Sequence, residues 1–379
     1  MNDEQRMLQD MVARVCAKLC DSAAVRRAEG SDSGYLPELW HQLIELGLTG
    51  LIIDETYGGS QSGLLDLAVA YEQLGRVLAP TPHWTSCVLS ARLIQQCGNA
   101  AIASELLPAI ASGSSIVTTA WLEPEGSAHS AGIQLQAKPE SNGFTLQGEK
   151  TLVPYAGVAS HLIVLARVGT APEAVGLFAV PTTAQGLTIS RQPNHAGEAL
   201  FHIAFEAVQI TAEQCLAQGD VAWSAWQAAM DGALIALSAQ AVGGTAAILD
   251  MSNDYARERH AFDRPIGSFQ SIAHYLADVA TELESARVLA WHAAWAHDEG
   301  QPYQLLAAMA KLHACAVFRR ATAVGVQIHG GMGFSLEADP QLYFRRAKQL
   351  QLLHWDPAFL EQRIADAVLG GPVNTGSVA

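Results

Sequence analysis

The chain has 379 residues, half of them apolar and only 16% charged, and its 37 acidic against 22 basic side chains leave a formal charge of −15. At roughly 150 residues per domain this is enough for two or three domains with a sizeable core. The acidic balance offers no general attraction to phosphate backbones or anionic lipid, so neither nucleic acid nor a membrane is an expected partner.

The start, Met1-Asn2-Asp3-Glu4-Gln5-Arg6, has neither the basic n-region nor the apolar h-region of a signal peptide, and a cytoplasmic location is expected. From Asp3 to about Ile110 the apolar residues recur at helical spacing: Leu8, Met11, Val12 and Val15, then Leu39, Leu43, Ile44 and Leu46, then Leu64, Leu67, Ala68, Tyr71 and Leu74. Turn signals at 31–34, 57–60 and 79–82 divide them, giving an α-helical domain over 1–112.

Near Gly113 the period changes to two. Segments 116–121, 133–136 and 144–146, the last two flanking the hairpin signal Asn142-Gly143, are expected strands, as are 162–168, 175–180 and 200–205. They define a small β barrel or sandwich over 113–219. From about Asp220 the helical period returns in long alanine-rich stretches to about Leu369, so 220–379 reads as a helical bundle, with Gly370 to Ala379 expected to fray. The fold class is α+β in the order α, β, α. The apolar run Gly232 to Leu249 approaches membrane-spanning length, but Ser238, Gln240 and Gly243-Gly244 interrupt it, and a buried bundle helix is expected instead. Trp223, Trp226, Trp291 and Trp295 fall at spacings of three and four and are expected in core or subunit-interface packing.

The six cysteines, Cys16, Cys20, Cys87, Cys97, Cys215 and Cys315, show no C-x-x-C pair and no ligand-like Cys/His spacing, so reduced thiols and no metal site are expected. No Walker loop, strand-borne G-x-G-x-x-G, G-x-S-x-G elbow or H-E-x-x-H pair is present. Two segments stand out. Tyr255-Ala256-Arg257-Glu258-Arg259-His260-Ala261-Phe262-Asp263-Arg264-Pro265-Ile266-Gly267-Ser268-Phe269-Gln270 carries three arginines within eight residues, a helix stop at 263–267 and a new helix from Ser268. In Gln327-Ile328-His329-Gly330-Gly331-Met332-Gly333-Phe334 a helix ends in glycines that permit close backbone approach by a ligand.

The first segment is similar to the Y-A-x-x-R-x-x-F-G-x-P-I-x-x-F-Q motif of the acyl-CoA dehydrogenase family, with Asp263 where the family has glycine, and the second resembles its Q-x-x-G-G-x-G-[FY] turn. Gly47 to Leu51, Tyr57-Gly58-Gly59, Glu72 to Arg76 and Leu106-Leu107-Pro108 have counterparts there too, so the resemblance covers nearly the whole chain. It implies FAD between the β domain and a C-terminal four-helix bundle, the adenine end being held by a neighbouring subunit. Arg259 would meet the pyrophosphate, for which a guanidinium fork is well shaped. Phe262 and Gln270 would flank the cofactor, and Gln327 with the Gly330-Gly331 backbone would approach its diphosphate and ribose.

The ring end departs from the family pattern. A T-E-P-x-A-G-S-D turn and a K-x-W-I-T-N segment become Leu122-Glu123-Pro124-Glu125-Gly126-Ser127-Ala128 and Lys150-Thr151-Leu152-Val153-Pro154-Tyr155, with Leu152 for the stacking Trp and Pro154 for a hydroxyl-bearing Thr. One family subgroup takes the substrate α-proton with a glutamate in a Y-E-G-T segment; here the chain reads Leu353-His354-Trp355-Asp356-Pro357. Counting from Arg345 aligns His354 with that glutamate, and counting back from Gln362 aligns Asp356. Either can accept a proton. The implied activity is oxidation of an acyl-CoA thioester to the 2,3-enoyl-CoA with electrons passed to an electron-transfer flavoprotein, by a homo-oligomer or a heterotetramer with a related subunit. The alternatives are a non-catalytic or half-site subunit that completes a partner's FAD pocket, and another reaction on the same scaffold such as flavin-dependent oxygenation.

Overall fold

A computed structural model describes residues 1–126, 128–171 and 174–370. The helical start comprises α1 (Asp3–Leu19), α2 (Ser22–Glu29), α3 (Pro37–Glu45), α4 (Leu64–Arg76), a π-helical segment (Trp84–Ser90), α5 (Ala91–Cys97) and α6 (Ala100–Ala111). Eight strands follow: β1 (Val117–Ala120), β2 (Gln136–Glu140), β3 (Gly143–Pro154), β4 (His161–Arg167), β5 (Val175–Pro181), β6 (Leu187–Gln192), β7 (Leu200–Thr211) and β8 (Cys215–Gln218). The chain ends with α7 (Gly219–Glu258), the short strands β9 (His260–Ala261) and β10 (Arg264–Pro265), then α8 (Gln270–Asp298), α9 (Gln304–His329), α10 (Pro340–Leu352) and α11 (Pro357–Leu369).

These elements form two compact units. The first, Leu19–Gly63 with Pro80–Ala233, holds the sheet, whose order is β6-β7-β3-β2-β4-β5-β8, with β1 added in parallel to β4. Strand β4 is buried from Leu162 to Arg167, which is why it reads as a continuous apolar run rather than an alternating one. Its Leu162 and Val164 share one apolar core with Leu146 of β3, Phe178 of β5, and Ile203 and Phe205 of β7. The β2–β3 hairpin pairs Glu140 with Gly143 around Ser141-Asn142. Gly143 is required there for space, because a Cβ would lie 1.9 Å from the Ile210 carbonyl oxygen.

The second unit joins α1, α4 and the chain from Leu234 onward. Two glycines let α4 and α7 touch backbone to backbone: a Cβ on Gly75 would lie 2.1 Å from the Gln240 carbonyl oxygen, and one on Gly243 1.9 Å from that of Glu72. The expected buried helix is α7, in which 89% of the most apolar 18-residue window is buried. The six cysteines are free thiols, and no His/Cys/Asp/Glu group that could hold a metal occurs among the described residues. Strands β6 and β8 are absent from the sequence-based expectation. The former has the exposed polar face of an edge strand, and the latter is only four residues long. Residues 371–379 of the expected frayed tail lie outside the described residues, as does Ser127 of the turn after Leu122.

Candidate active site

Helix α7 ends at Glu258, and the chain folds into a minimal hairpin in which Ala261 pairs with Arg264 and His260 with Pro265. Its turn residues Phe262 and Asp263 have φ of 53° and 60°. Such left-handed backbone costs a non-glycine side chain roughly 1–2 kcal/mol, and glycine is what the related motif has at the second of these positions. The hairpin presents Phe262 outward, 90% exposed, with its ring edge-on to that of Phe269, the centroids lying 6.1 Å apart. The three arginines of this segment have separate employments. Arg257 pairs with Asp254 at 3.4 Å and Arg264 lies 4.1 Å over the Phe269 ring, while Arg259 is exposed and its guanidinium makes no hydrogen bond or ion pair among the described residues.

The glycine turn lies beside this hairpin, because the rings of Tyr255 on α7 and His329 at the end of α9 stack at 4.4 Å. Gly330 caps α9 with φ 60° and ψ −139°, its N–H donating to the Gln327 carbonyl. A Cβ built on Gly330 or Gly331 would meet nothing within 4 Å, so open space lies over this backbone. Gln270 and Gln327 are exposed, with no side-chain hydrogen bond among the described residues. The uncommitted Arg259 guanidinium, the uncommitted Gln327 amide and the open glycine turn offer donors suited to a diphosphate, and they fit the cofactor that the resemblance implies.

His354 and Asp356 lie elsewhere in the same unit, in the turn between α10 and α11. Lys311 of α9 holds that turn from inside, its Nζ donating to the carbonyl oxygens of Gln351, Leu353 and Trp355 at 3.2, 3.2 and 3.3 Å. Lys311 is sixteen residues before Gln327 on one helix, about 24 Å along the axis at 1.5 Å per residue. The turn is strained, with His354 and Trp355 at φ 57° and 65° and both side chains buried. Burial first, and the nearby Lys311 ammonium second, push the His354 imidazole down to about 3, so it is neutral at physiological pH. Asp356 is exposed and caps α11, with Oδ1 accepting from the Phe359 N–H at 3.0 Å.

In the sheet unit, a buried ion pair that sequence reasoning did not assign joins the Glu123 and Lys150 segments. Lys150 Nζ meets Glu123 Oε1 at 2.6 Å and the Trp121 carbonyl at 3.1 Å. Glu123 also accepts from the N–H groups of Gln134 and Leu135 at 2.7 and 3.0 Å. Burial pushes Lys150 down to about 8 against the opposing pull of Glu123, so the ammonium persists at neutral pH. This network ties the Glu123-Pro124 turn to β3. The available signal was a Glu and a Lys, each inside a recognised motif segment, but nothing in their spacing of 27 residues announces a pair.

Three family models match the chain: "Acyl-CoA dehydrogenase, N-terminal domain" over residues 2–114, the middle domain over 118–208 and the C-terminal domain over 222–367. A Bacillus subtilis (strain 168) protein named as a probable acyl-CoA dehydrogenase, YngJ, is 30% identical over 361 residues, covering 93% of this chain and 94% of the relative. Among solved structures, butyryl-CoA dehydrogenase from Megasphaera elsdenii superimposes with a TM-score of 0.90 at 27% identity, covering 97% and 99% of the two chains. The ChsE4-ChsE5 complex from Mycobacterium tuberculosis matches with a TM-score of 0.88 at 25% identity, covering 98% and 99%.

Proposed function

This chain belongs to the acyl-CoA dehydrogenase family of oxidoreductases, and we propose that it binds FAD and oxidises an acyl-CoA thioester to the 2,3-enoyl-CoA, with an electron-transfer flavoprotein as the next electron carrier. The observation that carries the reading is Arg259. It is the one arginine of its segment without a partner among the described residues, and the Tyr255–His329 stack sets its segment beside the open glycine turn. Arg259 and Gln327 would donate to the diphosphate, the Gly330-Gly331 backbone would admit it closely, and Phe262 and Gln270 would flank the cofactor. When bound, FAD supplies the two-electron acceptor for the hydrogen leaving the substrate β-carbon.

The chain's own part in the chemistry is to remove the α-proton, so that the Cα–H electron pair becomes the second bond of the new C=C. We assign this to Asp356. Its Oδ1 is occupied by the Phe359 N–H, which fixes the carboxylate and leaves Oδ2 to receive the proton. His354, buried two residues earlier in the same turn, has a neutral ring and adds no positive charge there. Lys311 holds the turn through its carbonyls.

The test is Arg259→Ala in the full chain supplied with FAD. One charge-assisted contact to phosphate is worth about 1.5–3 kcal/mol, so FAD affinity should fall about tenfold to a hundredfold. A folded wild-type protein that shows no flavin absorption after incubation with FAD would overturn the cofactor reading.

A further inference from the structure

We propose that Gln192 is a positioning residue that sets the face on which β3 presents Leu152 to the flavin; this rests on the FAD reading above. The evidence is an irregularity in the sheet. Between Lys150 and Val153 the pairing of β3 with β7 slips, so that Thr151 and Leu152 together oppose a single residue, His202. Leu152 at the head of this bulge has φ 52°, in the left-handed region, and is half-buried. Bulges with strained non-glycine backbone persist only where the surroundings over-determine them, and they concentrate beside functional sites.

The surroundings here are specific. Both bulge N–H groups leave the ladder: Thr151 donates to the Leu122 carbonyl at 2.9 Å, and Leu152 donates to Gln192 Oε1 at 2.8 Å. The Thr151 hydroxyl donates to the same Oε1 at 3.0 Å. Gln192 is the last residue of β6, and β7 runs between β6 and β3. The Gln192 amide therefore reaches over β7 to cap the bulge. Glutamine has the length for this, whereas asparagine is one methylene short. Among the described residues, the Leu152 N–H has no other acceptor. Without Gln192 it is orphaned, and the way to pair it is to return it to the ladder. A one-residue shift along a strand turns each side chain to the opposite face, so Leu152 would then leave its present side. Leu152 occupies the position where the related motif has its ring-stacking tryptophan. Gln192, distant in sequence and outside every motif, thus fixes the apolar wall that replaces that ring.

The experiment compares wild type with Gln192→Asn, Gln192→Met and Gln192→Glu in the full chain, with folding checked by thermal melts. In the apo protein, exchange of the Leu152 amide hydrogen should be about tenfold faster in Q192N and Q192M, the factor an ordinary hydrogen bond is worth, and near wild type in Q192E, which keeps an acceptor at the same reach. In the FAD-loaded protein, Q192N and Q192M should shift the flavin absorption and fluorescence while retaining cofactor. Slow Leu152 exchange in Q192N, or wild-type flavin spectra in variants that exchange fast, would overturn the proposal. If the Gln192 variants do not fold, Leu152→Asn serves instead, because asparagine tolerates left-handed backbone and keeps the bulge. It should alter the flavin spectrum, and an unchanged spectrum rejects the assignment. A folded wild type that binds no FAD rejects the earlier reading and this one together, whereas a wild type that binds FAD beside indifferent variants rejects this one alone.

Discussion

Asp356 and His354 present two chemistries in neighbouring residues, and their surroundings separate them. Asp356→Asn keeps the cap oxygen for the Phe359 N–H but cannot take a proton, so substrate-dependent flavin bleaching should fall at least a hundredfold, the lower range for a lost general base. His354→Gln should leave bleaching largely intact. Full activity in Asp356→Asn would remove the carboxylate from the mechanism. The buried histidines have a second consequence. His83 donates from Nε2 to the Leu48 carbonyl at 2.9 Å, and burial pushes it down to about 4; His354 is pushed down to about 3. Below pH 6.5 the unfolded chain protonates both imidazoles while the folded chain resists, so the unfolded state binds more protons and stability is lost as pH falls towards 4 and 3. The slope approaches about 1.4 kcal/mol per pH unit for each histidine. Urea melts between pH 4 and 7 should show it, and His354→Gln should remove about half; an unchanged slope would refute the burial of His354.

At the scale of elements, the fold rests on two kinds of close fit. Lys150→Met would leave Glu123 charged and buried, a loss of about 3–5 kcal/mol for one half of a buried pair, read as a lower denaturation midpoint. Gly243→Ala would drive a methyl into the Glu72 carbonyl where α4 meets α7, and overpacking of this kind costs about 1–3 kcal/mol or more. A midpoint unmoved by either change would show that the fit is looser than described. How far these elements were legible depends on how local their cause is. Strands β4, β5 and β7 announce themselves through apolar runs, and α7 through its Ala-rich length. The site segments around Arg259 and Gln327 carry motif spacing and stood out. Strand β6 did not, since its exposed Thr188, Ser190 and Arg191 make it read as a loop, and with it went Gln192. The Glu123–Lys150 pair, the Lys311 clasp on three carbonyls and the burial of His354 are long-range facts. They arise when separated segments meet, and no local pattern encodes them.

At the scale of the whole molecule, the segments carrying the proposed cofactor residues also carry the three most exposed large apolar side chains among the described residues, Phe262 at 90%, Leu336 at 74% and Phe334 at 71%, with Met332 at 59% beside the last two. Isolated exposed apolar residues are ordinary, but four in two adjoining segments mark an interaction surface. Light scattering should therefore find a dimer or a dimer of dimers at micromolar concentration, and Phe334→Asp with Leu336→Asp should shift the population towards smaller species; a well-behaved wild-type monomer would refute this. The unit bearing these residues is built from three separate stretches of chain, with α1 at the beginning and α8 to α11 at the end. Helix α1, which buries Val12 and Cys16 in the finished protein, is followed after 45 residues by α4 of the same unit, yet residues 80–233, 154 in number, must then be made before the rest of that unit begins to emerge. At about 5–20 residues per second this leaves α1 and α4 waiting some 8–31 s on the ribosome without the C-terminal helices of their unit. The sheet unit, whose segments are all complete by Ala233, can fold during that interval, so the order of synthesis sets the order of assembly, and the unit that is begun first is finished last.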